Sequence, residues 1–95
     1  YLDGRVQALW GTHTHVPTAD CRVLSRGLGF VTDLGMTGPE DSVIGVRPEL
    51  AIYRFLGGLP QRGLPADGPC RMDAVLFEID TAQRRCTAVR RADVR

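Results

Sequence analysis

Glycine and proline cut this sequence into short pieces, and that punctuation bounds the fold more tightly than any single motif. Gly11 closes one apolar run, Gly27 separates two others, two glycines and a proline fall within Gly35 to Pro39, and Gly57 to Gly68 is a glycine- and proline-rich connection. In 95 residues such pieces can assemble one hydrophobic core and no second, so residues 1–95 are expected to form a single unit. The longest clear apolar run is Ala74-Val75-Leu76-Phe77. A membrane helix needs roughly 18 apolar residues, so no membrane partner is expected. With 43% hydrophobic and 24% charged residues the composition is that of a globular protein, neither disordered nor fibrous.

Within those limits the apolar pattern predicts more strands than helices. Val6 to Trp10 is apolar on both faces, which predicts a short buried strand. Arg22-Val23-Leu24 and Gly29 to Asp33 flank Ser25-Arg26-Gly27, a connection of hairpin length with a glycine able to take positive φ. Gly35 to Asp41 reads as a loop on composition. One helix is expected, from about Pro48 to Leu56: proline suits the first position, Glu49 faces the positive end of the dipole, and Gly57-Gly58 ends it. Ile52, Phe55 and Leu56 are its expected buried stripe, packed on a sheet. Val75, Phe77 and Ile79 alternate with Leu76, Glu78 and Asp80, giving a strand whose expected partner is Cys86 to Arg90. The class is α/β, strand-rich with one main helix.

Charge and cysteine usage exclude some functions. All twelve basic residues are arginine, and the net charge is only +1. Five arginines among the last twelve residues face Asp93 alone, but the aromatic residues are not interleaved with them, so a solvated strand edge is favoured over an RNA-binding surface. Cys21, Cys70 and Cys86 are odd in number and lack C-x-x-C spacing. Reduced thiols in a cytoplasm, each buried or half-buried as a small hydrophobe, are expected.

Chemistry concentrates at His13 and His15, the only histidines, directly after the first strand in Gly11-Thr12-His13-Thr14-His15-Val16-Pro17. An extended backbone would point both imidazoles to one face, spaced to chelate one ion. A turn after Gly11 would let them diverge toward two neighbouring ions. Asp33, at a strand end before Gly35, is a candidate to orient a metal-binding histidine from behind. The glycine amides and threonine hydroxyl of Gly35-Met36-Thr37-Gly38 are candidates to line the substrate side. Asp41-Ser42 reads as turn chemistry, since no G-x-S-x-G elbow is present.

Three ordered blocks carry a family resemblance: Gly-Thr-His-Thr-His-Val-Pro-Thr-Ala-Asp at 11 to 20, Val-Thr-Asp-Leu-Gly-Met-Thr-Gly-Pro at 31 to 39, and Asp-Ser-Val-Ile-Gly-Val at 41 to 46. Together with Arg54-Phe55-Leu56, Leu59-Pro60 and the Val75 to Asp80 strand, they resemble the calcineurin-like metallophosphoesterases, in the bacterial branch of YmdB-type cyclic-nucleotide phosphodiesterases. The resemblance implies a sandwich of two mixed β-sheets flanked by helices. It also implies a hydrolase using two metal ions, iron or manganese, on phosphodiesters such as 2′,3′-cyclic nucleotides. His13 and His15 match the histidines of that family's last metal motif, each ligating a different ion. Thr12 stands where the wider superfamily has histidine directly after glycine, which matches this branch.

The same resemblance implies ligands that this chain does not carry. Family members have an early Asp, an Asn-His pair whose histidine protonates the leaving group, and another metal-binding histidine, whereas this sequence has no asparagine and no third histidine. The first residue is Tyr1, and the expectation is the C-terminal half of a cytoplasmic metallophosphoesterase domain, inactive by itself, with no catalytic acid of its own and with homo-oligomerisation open. The competing expectation is a non-catalytic α/β module that binds a metal, RNA or a protein partner.

Overall fold

The computed structural model describes residues Tyr1–Arg95 as seven short strands and one helix. In chain order these are β1 (Ala8–Trp10), β2 (Arg22–Val23), β3 (Gly29–Val31), β4 (Thr37–Pro39), α1 (Pro48–Phe55), β5 (Cys70–Met72), β6 (Val75–Asp80) and β7 (Arg85–Arg91). The strand-rich α/β class read from the sequence is the class observed, and no helix is long and apolar enough to cross a membrane.

The first sheet has the order β1-β3-β2 and is mixed. β2 and β3 form the expected antiparallel hairpin, whose turn closes through Leu24 N–H donating to the Leu28 carbonyl at 2.8 Å, with Gly27 at φ 93°. The Asp3 carboxylate accepts the Arg26 and Leu28 amides at 3.0 and 3.1 Å and so pins the turn from outside. β1 pairs with β3 in parallel, ending at Trp10 opposite Val31. The C-terminal ends of two parallel neighbours lie side by side, so the loops leaving them start in contact: Leu34 N–H donates to the Gly11 carbonyl at 2.9 Å.

β6 and β7 pair antiparallel through a tight turn, as the alternation predicts, and β7 packs against β2 and β3. The pairing slips once: Glu78 faces Ala88 while Ile79 faces Cys86, leaving Thr87 as the extra residue of a bulge. The extra residue re-aims the strand, and Cys86 turns fully inward to join Leu28 and Val31 in the core. The Cys86 N–H donates to the Gly27 carbonyl at 2.7 Å, which ties β7 to the hairpin turn.

Four expectations are corrected. The first strand is not buried: β1 is an edge with one neighbour, Ala8 and Leu9 are half-buried, and Trp10 is exposed with its ring against Phe77 at 5.8 Å. Gly35 to Asp41 is not all loop, because Thr37–Pro39 pairs antiparallel with Cys70–Met72. Composition misleads there because β4 is an edge strand, where proline and glycine cost little pairing. Cys70 is exposed rather than packed.

The fourth correction concerns α1, whose ends are as expected. Pro48 opens it, and Gly57 at φ 88° closes it in a Schellman motif, with Gly58 and Gly57 amides bonded to the Tyr53 and Arg54 carbonyls. The expected stripe, however, is exposed, at 53% for Ile52, 79% for Phe55 and 83% for Leu56. Leu50 and Ala51 are half-buried and, with Phe55, line an open apolar cavity of about 380 Å³ against Val43 and Val46 of the flanking loop. Helical periodicity identifies the apolar face, but not what covers it. Only 8 of 95 residues are buried, and the radius of gyration is 17.2 Å against about 12 Å for a compact domain of this length.

The hairpin and β7 meet closely at Gly29, where a Cβ would approach the Cys86 Sγ to 2.6 Å and the Phe77 ring to 2.8 Å. Gly29→Ala should therefore destabilise by about 1–3 kcal/mol in denaturant unfolding, and adding Cys86→Ala should recover part of the loss. Strict additivity of the two substitutions would exclude this crowding.

Candidate functional site

The loop bearing the two histidines leaves the C-terminal end of β1, the end of a parallel pair where α/β folds commonly place ligands. It begins at Gly11, which must lack a side chain because a Cβ would collide with the Thr32 carbonyl. Residues 13–16 are a run of bends, not a strand, and His15 has φ 63°. The backbone therefore turns through this loop rather than running extended. Left-handed backbone costs a non-glycine residue roughly 1–2 kcal/mol, so something must hold His15 there.

The holding group is Asp33, 1% exposed at the end of β3. Its Oδ2 accepts both the amide and the hydroxyl of Thr14, at 2.7 and 2.8 Å, while its Oδ1 accepts the Gly35 amide at 2.9 Å. The Thr14 hydroxyl in turn accepts the Val16 amide at 3.3 Å, closing a small turn around His15. The Gly35 amide, against the opposing effect of burial and with help from Thr14 and the His13 amide, holds the Asp33 carboxyl below the usual range. Asp33 thus reaches the histidine loop through Thr14 and the main chain; none of its hydrogen bonds goes to an imidazole.

Two further carboxylates stiffen the surroundings. Asp20 accepts the Thr18 hydroxyl at 2.6 Å and both the hydroxyl and the amide of Thr32, fastening the far end of the loop to the exit of β3. Asp73, 6% exposed, accepts the Met36 amide at 3.0 Å and pairs with Arg95 at 3.1 Å and Arg71 at 3.4 Å. Burial works to raise the Asp73 pKa, but the Met36 amide and the two guanidinium groups outweigh it and hold it low. Gly35, at φ 102°, lies so close to Asp73 that a Cβ would overlap the carboxylate.

These contacts locate each residue singled out in the sequence. His13 and His15 are exposed, and neither imidazole is engaged in a hydrogen bond or ion pair within the chain. Thr12 is exposed beside them. The amides of Gly35 and Met36, candidates for phosphate contact, are already spent on Asp33 and Asp73, while Thr37 and Gly38 lie in β4 with the Thr37 side exposed. Thr14, Asp73 and Arg91 escaped the sequence reading. Arg91 donates to the Leu34 carbonyl at 2.8 Å and to Asp93 at 2.6 Å, and no local pattern announces that reach across 57 residues. No group of three or more His, Cys, Asp or Glu is placed to hold a metal, so the chain presents two imidazole donors and no complete coordination sphere.

The hydroxyls of Thr18 and Thr32 with the Thr32 amide push the Asp20 pKa down to about 2. A carboxyl with a lower pKa folded than unfolded stabilises the fold above its unfolded value, near 4, and that contribution disappears as pH falls through about 2. Asp20→Asn should lower the melting temperature at pH 7 and flatten the loss of stability between pH 4 and 2. Melting curves of the two proteins that stay parallel across that range would show that Asp20 has no such role.

The family model described as YmdB-like protein matches residues 1–92. The chain is 43% identical over 91 residues to the 2′,3′-cyclic-nucleotide 2′-phosphodiesterase of Bacillus subtilis, covering 96% of this chain and 34% of that protein. Among solved structures it superposes on a hypothetical protein from Thermus thermophilus with a TM-score of 0.90 at 41% identity, covering 99% of this chain and 36% of that one. A novel phosphatase of Mycoplasma pneumoniae gives a TM-score of 0.92 at 35% identity, over 98% of this chain and 34% of that one. The chain therefore spans about a third of the length of the relatives it matches. Matched over nearly its whole length in both sequence and fold, the chain belongs to the YmdB-like family.

Proposed function

We propose that this chain is the C-terminal part of a cytoplasmic metal-dependent phosphodiesterase and that it contributes His13 and His15 as ligands to a pair of metal ions. The observation that carries the reading is a loop pinned by a buried carboxylate through Thr14 while its two flanking imidazoles stay exposed and uncommitted. The similarity to a 2′,3′-cyclic-nucleotide 2′-phosphodiesterase supports a cyclic nucleotide or related small phosphodiester as substrate.

The donor set suits metals of the iron and manganese type in part: imidazole nitrogen is a good ligand for iron, and the remaining donors must come from outside these 95 residues. When bound, a metal pair supplies Lewis-acid polarisation of the phosphoryl oxygens and an activated water. This chain's own part is to present the two imidazoles and hold their loop against β3. Gly11 allows the close approach of the two strand exits, Asp33 fixes Thr14, and Asp73 fixes Met36 on the neighbouring segment.

An RNA-binding role for the basic tail finds less support. Arg90, Arg91 and Arg95 are paired with Glu78, Asp93 and Asp73, leaving Arg84 and Arg85 as the tail arginines without a carboxylate partner. Two free guanidinium groups make a weak electrostatic footprint for a polyanion.

In the full-length protein, His13→Ala and His15→Ala should each reduce bound metal and lower turnover of a 2′,3′-cyclic nucleotide by orders of magnitude, with the fold retained because both side chains are exposed. Metal analysis beside a phosphodiesterase assay makes the test. Wild-type metal content and rate in both variants would refute the assignment.

A further inference from the structure

We infer that Thr14 is the positioning residue of the site: anchored on Asp33, it sets the main chain of both histidines before any ion arrives. The inference rests on the reading of His13 and His15 as metal ligands. Thr14 stands between them, so one anchor acts on both neighbours at once. A metal-binding histidine is usually oriented by a carboxylate on its second ring nitrogen. Here the nearby carboxylate bypasses the rings and grips the backbone instead.

The grip is directional. Both Thr14 donors converge on Asp33 Oδ2, at 2.7 Å from the amide and 2.8 Å from the hydroxyl, while Oδ1 is held by the Gly35 amide at 2.9 Å. The carboxylate therefore cannot rotate without releasing Gly35. A threonine hydroxyl has one proton. The Val16 carbonyl also lies within reach, at 3.2 Å, but the shorter contact to a charged, 1% exposed acceptor takes that proton. The hydroxyl's lone pairs remain for the Val16 amide at 3.3 Å. That second bond brackets His15, whose φ is 63°, and adds to the hold that Asp33 exerts through Thr14. A ligand loop shaped in advance loses less conformational freedom when an ion binds, so the anchor should appear in metal affinity, beyond any change in the stability of the fold.

Thr14→Val keeps the branched shape and the amide bond but removes the hydroxyl, so it can neither donate to Asp33 nor accept from Val16. Thr14→Ser restores the hydroxyl. In the full-length protein, stripped of metal and titrated with Mn²⁺ by calorimetry, Thr14→Val should bind about 10- to 100-fold more weakly than wild type, and Thr14→Ser should bind like wild type. Asp33 keeps the Thr14 and Gly35 amides in Thr14→Val, so the metal-free variant should stay folded and melt only a few degrees lower, while Thr14→Ser should melt like wild type. Should the valine variant not fold, Thr14→Ala removes the same hydroxyl without filling its place. Wild-type Mn²⁺ affinity in Thr14→Val, or equal weakening in the valine and serine variants, would overturn the inference. Unaltered Mn²⁺ binding in His13→Ala and His15→Ala would instead overturn the ligand reading, and this inference with it.

Discussion

The parallel pairing of β1 with β3 is the constraint on which the rest of the site depends. Two parallel strands deliver their C-terminal ends to the same edge, so the loop carrying the histidines and the segment carrying Asp33 emerge together although they are 19 residues apart in sequence at the Thr14–Asp33 contact. An antiparallel pairing would have sent them to opposite ends of the sheet. Once the two exits are adjacent, a buried carboxylate at one of them cannot be left without donors, because an unpaired charge out of water is heavily penalised. Thr14 and Gly35 supply those donors, and the histidine loop is fixed as a consequence.

The same logic continues one layer further from the histidines. Asp33 and Asp73 lie on either side of Gly35 and take the amides of Gly35 and Met36 in turn. A side chain at position 35 would collide with Asp73, so the glycine there answers to packing as well as to its positive φ. Arg95 and Arg91, from the end of the chain, reach back to Asp73 and to the Leu34 carbonyl. Two of the five arginines of the tail are thus spent on bracing residues 33–36.

What was legible in the sequence was local. The hairpin around Gly27, the strand pair closing the chain and both ends of α1 depend on residues within a few positions of one another, where turn chemistry and period-2 alternation are decisive. The strand at Thr37–Pro39 was not legible, because its partners run from Cys70 to Met72, far along the chain, and its own composition argues for a loop. The burial of Cys86 agrees with its expected role as a small hydrophobe, but the bulge in β7 that achieves it, by adding one residue to the strand, is not legible from alternation. The exposed stripe of α1 shows the limit most clearly: Ile52, Phe55 and Leu56 are apolar at helical spacing and yet uncovered, since periodicity carries no information about the neighbouring surface.

The sequence by itself determined the chemical inventory: two histidines one residue apart after a strand, a glycine that lets that strand's exit be approached closely, and a set of motif blocks specific enough to point to a family. It also determined the local turns, because glycine and proline restrict the backbone wherever they stand. Only the tertiary structure decided how that inventory is used. It brought Asp33 to Thr14 rather than to an imidazole, consumed the Gly35 and Met36 amides, and brought Arg95 back onto Asp73. Those outcomes follow from which strands pair and in which direction, and strand pairing is a contest among distant segments that no short stretch of sequence records.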